Sequence, residues 1–325
     1  MRIIDPAASG HAAGVDETMK ILFATDGSPS ANRAQTLLAS LKLPPDPTID
    51  VVNVDPLYDE GDLRPGDLKE LHRLLREDTD KELAAVRAAL SAPGRTVTTT
   101  VLFGRPGAAI VAAAERSGAD LVVVGSRGHG PFLSALLGSV AAEVVDHAPC
   151  PVLVARGTSV DRVVLAVDDS AGSRGAEALA ASLPFISSVP VRVVSVAPLL
   201  PAWYASADAA GAGAFSGEMY ERILDEQRAA HQRLVSDVAK RLGARGITTA
   251  AEVAEGDAAY EVVEVAGRVD ADLIVVGSRG ITGLKRVFLG SVARGILYHA
   301  PCSVLVVRET VSAAEAAPAA AAQAV

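Results

Sequence analysis

Glycine, serine and arginine at fixed spacing are the residues of this chain that could do chemistry. Gly125-x-x-Gly128, nine residues, then Gly138-Ser139 recurs as Gly277-x-x-Gly280, nine residues, then Gly290-Ser291. The first glycine of each set ends an apolar run, and the second permits a turn whose backbone approaches a ligand with no Cβ in the way. The later Gly-Ser pair opens GSVAAEVV and GSVARGIL, where Val140 and Val292 follow the serine. Each reads as a helix start, with unpaired N–H groups and the positive dipole end facing outward. Such walls make an anion cradle suited to a di- or triphosphate, with Arg127 and Arg279 supplying charge inside the turn. The plainer reading is that the glycines end strands and the serines cap helices. Both copies keep the glycines, the serine and the arginine while the nine residues between diverge almost completely, which favours phosphate.

Two further features fall at strand ends. Asp26 and Asp168 each follow an apolar run, KILFAT and VVLAV. A carboxylate there accepts hydrogen bonds from a ribose or an exocyclic amine; equally, it serves as a helix N-cap. Val54 and Val196 end the second runs, where a backbone edge can meet a base.

Other motifs carry less. No G-x-x-x-x-G-K-[ST] is present, so there is no P-loop lysine, and neither first run is followed by G-x-G-x-x-G. His147–Cys150 and His299–Cys302 repeat as H-A-P-C, two ligands where zinc needs three or four; they read as thiols buried at a strand start. His129 reads as an exposed loop residue, since Ile281 takes its place in the second copy. Asp120 and Asp272 read as strand-entry residues, and Trp203 and Tyr204 as surface anchors or a lid.

The elements that position these residues come from an internal repeat. Residues 125–156 and 277–308 match at 17 of 32 positions, far above the roughly one in twenty expected of unrelated segments. Asp26 and Asp168 are 142 apart where the later segments are 152 apart, so the second copy holds ten extra residues, placed in LLPAWYASADAAGAGAF at 199–215. Each copy alternates nearly continuous apolar runs, as strands buried on both faces show, with helical patterns, clearest over 67–91. The fold class is α/β: two doubly wound five-stranded parallel-sheet (Rossmann-like) domains in tandem, with ligands at the strand carboxyl ends. The expected organisation is 1–18 as an N-terminal extension, 19–156 and 161–308 as the domains, and 309–325 as a mobile Ala-rich tail.

Composition narrows the function classes. The chain has 325 residues, half of them hydrophobic, with a net charge of −9 and two cysteines. The negative balance argues against nucleic acid and anionic lipid as partners. No apolar stretch approaches the ~20 residues of a membrane span, and nothing resembles a secretory signal. The expected location is a reducing cytoplasm.

The G-x2-G-x9-G-S pattern, the ATDGS opening, ADLVVVGSRG and the HAPCPVLVA ending resemble the universal stress protein family, in particular its tandem members of the ATP-binding branch. The resemblance covers nearly all of 19–308. It implies that Asp26 and Val54 frame adenosine, Gly125, Arg127 and Gly128 line the phosphate turn, and Gly138, Ser139 and Val140 hold phosphate. In the second copy it implies the same of Asp168, Val196, Gly277, Arg279, Gly280, Gly290, Ser291 and Val292. It also implies that fifth strands pair across an interface, joining either the two copies as a pseudo-dimer or two chains as a homodimer. The expected role is an ATP-binding stress-response regulator, with Mg²⁺ or Mn²⁺ accompanying ATP left open. The alternatives are a slow ATPase or phosphotransferase and a scaffold with empty pockets. One departure is Asp169 where the first copy has Gly27, a carboxylate that would repel phosphate unless a cation intervenes.

Overall fold

The structure, a computed structural model, describes residues 18–55, 65–128, 137–199, 217–278 and 289–308. Arg279, Gly280, His129, Trp203 and Tyr204 lie outside the described residues, as do the terminal segments 1–17 and 309–325. The first half runs β1 (Lys20–Ala24), α1 (Pro29–Ser40), β2 (Thr48–Asp55), α2 (Pro65–Leu90), β3 (Thr96–Phe103), α3 (Pro106–Ser117), β4 (Leu121–Gly125), α4 (Ser139–His147) and β5 (Val152–Ala155). The second runs β6 (Val163–Ala166), α5 (Ala171–Ser182), α6 (Pro184–Ser187), β7 (Val191–Ala197), α7 (Gly217–Gly243), β8 (Thr249–Glu255), α8 (Ala258–Arg268), β9 (Leu273–Gly277), α9 (Ser291–His299) and β10 (Ser303–Val307).

All ten strands belong to one sheet in the order β3-β2-β1-β4-β5-β10-β9-β6-β7-β8. Each half is parallel, as the helical crossovers require. The halves meet where β5 and β10 pair antiparallel, Leu153 opposite Leu305. The expected pair of five-stranded sheets is thus one mixed sheet, and the fifth strands join the two copies within the chain. The reason is visible in the strands themselves: β5 and β10 are buried on both faces, so neither is a free edge. The true edges, β3 and β8, are mostly exposed or half-buried, Val97 of β3 being the one fully buried position between them.

Alternate strand residues feed two cores. Ile21, Phe23, Leu153 and Leu305 face α1, α2, α5 and α7, whereas Leu22, Ala24, Val154 and Val304 face α3, α4, α8 and α9. Two arginines cross the seam. Arg156 donates through Nη1 to Cys302 O at 3.2 Å and through Nη2 to Leu297 O, and Arg308 Nη2 donates to Val145 O at 2.8 Å. Each thus places a cation at the carbonyl end of the other half's last helix, where the dipole favours it.

The ten extra residues fall between β7 and α7. The connection from β2 to α2 is residues 56–64, that from β7 to α7 is 198–216, and the strand and helix registers agree on either side. Asp120 and Asp272 tie the strand entrances: Lys20 N–H donates to Asp120 Oδ2 at 2.9 Å, and the Asp161 and Arg162 N–H groups donate to Asp272 Oδ2 at 3.0 Å. Among the described residues, no helix is long and apolar enough to cross a membrane.

Candidate functional site

In each half the strand order reverses at the first strand, between β1 and β4 and between β6 and β9. A crevice opens at the carboxyl ends of such strands. Asp26 stands just beyond β1, and its Oδ1 accepts from Ser28 N–H at 3.1 Å; Asp168 Oδ1 accepts from Ser170 N–H at 3.1 Å. The helix caps are the serines. Ser28 Oγ accepts from Ala31 N–H and Ser170 Oγ from Ser173 N–H. Of the two roles the sequence left open for the aspartates, capping is therefore taken by a neighbour.

The glycines divide into two kinds. A Cβ on Gly125 would lie 2.9 Å from Ala31 N and Ser30 C, and one on Gly277 would lie 2.6 Å from Gly172 C. Both are needed so that a strand end can press on the first turn of α1 or α5. Gly128 is different: a Cβ there would meet the Asp26 carboxylate at 2.7 Å. Gly138 N–H donates to Ser126 O at 2.7 Å, and Gly290 N–H to Ser278 O at 2.8 Å, closing each Gly-rich segment at its base. In the first half Ser30 Oγ also accepts from Arg127 N–H at 3.1 Å. Gly172 occupies that position in the second half and carries no hydroxyl.

Gly138 and Gly290 are the N-caps of α4 and α9, and among the described residues neither helix start receives a side-chain cap. Ser139 and Val140, and likewise Ser291 and Val292, form the first turns, with both serines exposed. Their leading N–H groups are orphan donors at a positive dipole end. Arg127 is exposed beside the turn. The structure thus brings Asp26, Arg127, Gly128, Gly138, Ser139 and Val140 together, with Gly125 as their packing support. In the second half it brings Asp168, Gly277, Gly290, Ser291 and Val292 to the corresponding places.

Val54 and Val196 lie farther out. β1 pairs with β2 only as far as Val52, and β6 with β7 only as far as Val194. Two residues on, Val54 and Val196 pair only with the outer strand, opposite Leu102 and Ala254. Their inner backbone edges border the crevice.

The clefts differ in their walls, which sequence reasoning missed. In the first half Glu82 of α2 overhangs the turn, so near that a Cβ on Gly27 would lie 2.8 Å from its Oε2. A cavity of ≈ 290 Å³ there is lined by Thr25, Asn53 and Glu82 among others. In the second half an open groove of ≈ 940 Å³ runs along α5 and α7, from Asp168, Ser173 and His231 at the crevice end to Ala181 and Arg245 at the other. Gly27 has φ +72° and Asp169 φ +61°, so Asp169 holds the same left-handed turn. Arg174 Nη1 donates to Asp169 O at 2.6 Å and lies 3.5 Å from Oδ1. Asn32 makes the equivalent bond to Gly27 O at 3.4 Å. Arg174 is the cation that offsets the added carboxylate. Comparing the copies at their offset of 142 places Asn32 opposite Arg174, and that exchange was the available signal.

The two thiols stand apart from these crevices. Cys150 and Cys302 are buried at the entrances to β5 and β10. Burial, with Asp120 adding to it, pushes Cys150 up to about 12, and burial pushes Cys302 up to about 11. Among the described residues no group of three His, Cys, Asp or Glu side chains is placed to hold a metal.

Comparison with known proteins bears on both halves. The model of the Universal stress protein family matches residues 17–156 and 159–308. A universal stress protein of Thermus aquaticus is 36% identical over 145 residues, 42% of this chain and 97% of that one. One of Methanocaldococcus jannaschii is 40% identical over 94 residues, 29% of this chain, and the match spans 54% of its own length. In three dimensions, a universal stress protein from Archaeoglobus fulgidus superposes with a TM-score of 0.62 at 21% identity, covering 90% of this chain and 99% of that chain. At that identity the likeness speaks for the fold.

Proposed function

Because the chain belongs to the universal stress protein family, with two tandem family domains, we propose that it is a regulatory protein of the ATP-binding branch, holding ATP at the strand ends of each half. The observation that carries this reading is the pairing of an uncapped helix start with a strand-end carboxylate at both switch points. Polyphosphate fits the first, since orphan N–H groups and the helix dipole favour anions without any side-chain charge. Adenosine fits the second: Asp26 and Asp168 are acceptors oriented by a backbone N–H, beside the open β2 and β7 edges at Val54 and Val196. Gly128 leaves room beside Asp26 that any side chain would fill. On the family pattern Arg279 and Gly280 complete the second cradle, and Mg²⁺ or Mn²⁺ would arrive with the phosphates.

The reading is regulatory because the residues that would meet ATP bind and orient it. No P-loop lysine stands at the helix start, and the Ser28, Ser30 and Ser126 hydroxyls and the Gly138 N–H are engaged in closing the first turn. ATP then acts by favouring whichever arrangement binds it better. Mass spectrometry of denatured, freshly purified protein tests this. Adenine nucleotide should be released, and a phosphate-release assay should show turnover far below the median enzyme's ~10 s⁻¹. Gly128→Val combined with Gly280→Val should abolish ATP binding with the circular dichroism spectrum unchanged. Unaltered affinity in that variant would refute the placement of the phosphate turn.

A further inference from the structure

The second cleft contains a histidine whose tautomer is set by a buried serine. Ser195 lies on β7 and is 1% exposed. Its Oγ is 2.8 Å from Val167 O and 2.8 Å from His231 Nδ1. A hydroxyl has one proton, and a main-chain carbonyl can only accept. Ser195 therefore donates to Val167 O and accepts from His231 Nδ1–H. In the neutral ring this leaves Nε2 as a bare acceptor. His231 borders the cleft together with Asp168 and Ser173. Its burial lowers its pKa from the ordinary value, which keeps the ring neutral near pH 7. Ser195 is no nucleophile, being buried with its proton committed to the carbonyl.

At the matching place the first half carries no histidine. Matching the buried pairs Leu83/Val235, Val86/Val238 and Leu90/Leu242 places Thr79 opposite His231. The strand position of Ser195 corresponds to Asn53, whose Nδ2 donates to Thr25 O at 3.0 Å. The carbonyl is thus satisfied in both halves, but only the second half uses that bond to orient a ring.

We propose that His231 determines base specificity in the second cleft, its Nε2 accepting a hydrogen bond from the exocyclic amine of a 6-aminopurine. This rests on the nucleotide reading of that cleft. A wall that offers acceptors, Nε2 and the Asp168 carboxylate, accepts an amino purine and leaves its groups unpaired against a 6-oxopurine, which is how polar sites discriminate.

Calorimetric titration of the full chain, its first cleft silenced by Gly128→Val, tests this with ATP and with inosine triphosphate, which carries an oxygen in place of the amine. The expected result is a preference for ATP of about tenfold, the size of one hydrogen bond. His231→Ala should bring the ratio within about twofold. Nitrogen-15 NMR of the unmutated chain should place the imidazole proton of His231 on Nδ1, with Nε2 shifting on addition of ATP. An unchanged ATP-to-inosine ratio in His231→Ala, or a proton on Nε2 of the free protein, overturns the proposal while leaving the nucleotide reading intact. If the unmutated chain binds no nucleotide at all, both fall.

Discussion

The first and second halves build the same crevice from the same backbone, yet they enclose it differently. Over the first, α2 brings the carboxylate of Glu82 down upon Gly27. Over the second, Leu234 takes the position of Glu82 and His231 that of Thr79, and α7 stands off α5 across an open groove. Arg241 spans that groove to Glu177 through two hydrogen bonds of 2.7 and 2.9 Å. The turn after β1 uses Gly27 with Asn32, and that after β6 uses Asp169 with Arg174. The parts set by backbone geometry are thus held in common, namely the strand-end carboxylate, the glycine under the helix turn and the uncapped helix start. The parts supplied by side chains from the overlying helix have diverged. The first cleft is the more negative, with Glu82 over its turn, whereas the added carboxylate of the second is offset by Arg174. The second should therefore bind a polyanionic nucleotide more tightly.

The largest effect should come from the shared backbone. Gly125→Ala and Gly277→Ala each force a Cβ into main-chain atoms, and each should cost about 1–3 kcal/mol. Urea midpoints should fall in both, further for Gly277, whose nearest atom is closer; equal stability to the parent would show that the helix can yield. Next comes the wall. Glu82→Leu gives the first half the side chain of the second and should strengthen ATP binding there about fivefold, close to 1 kcal/mol. Unchanged first-cleft affinity would mean that the carboxylate turns away from phosphate. Arg174→Ala leaves Asp169 uncompensated and should weaken the second cleft about twofold, the size of an exposed ion pair. A loss confined to stability would remove Asp169 from the cleft's electrostatics.

The smallest difference lies in the thiols. Both folded pKa values are raised, so both thiols stay protonated and should resist alkylation at pH 8, with Cys302, at about 11, reacting before Cys150, at about 12. The linkage has a definite sign. The unfolded thiols ionise near 9.0, so this contribution is fully present below that pH. It is lost as pH rises through about 11 and 12. A urea midpoint that does not fall between pH 8 and pH 10.5, or that falls equally in a Cys150→Ala, Cys302→Ala chain, would contradict it.

Much of the scaffold was legible in the sequence because it is written in local patterns. The runs KILFAT and DLVVVG are strands, the glycines end them, and the difference between offsets of 142 and 152 located the insertion in one connection. The joining of the halves was half legible. An apolar run such as CPVLVA must be covered on both edges, but the partner strand, and the crossing of Arg156 and Arg308, depend on the geometry of the seam. The cleft walls were not legible. Which face of a long amphipathic helix meets a crevice depends on how that helix lies on the sheet, so Glu82 and His231 read as ordinary polar positions of α2 and α7. Ser195 gave no sign either, since its partner is 36 residues away on another element.

The inequality of the two clefts is tested most directly by calorimetric titration of ATP into nucleotide-free chain. Two binding events per chain are expected, with the tighter one surviving Gly128→Val and the weaker one lost. A single event removed by Gly128→Val, or two events of equal affinity, would contradict it.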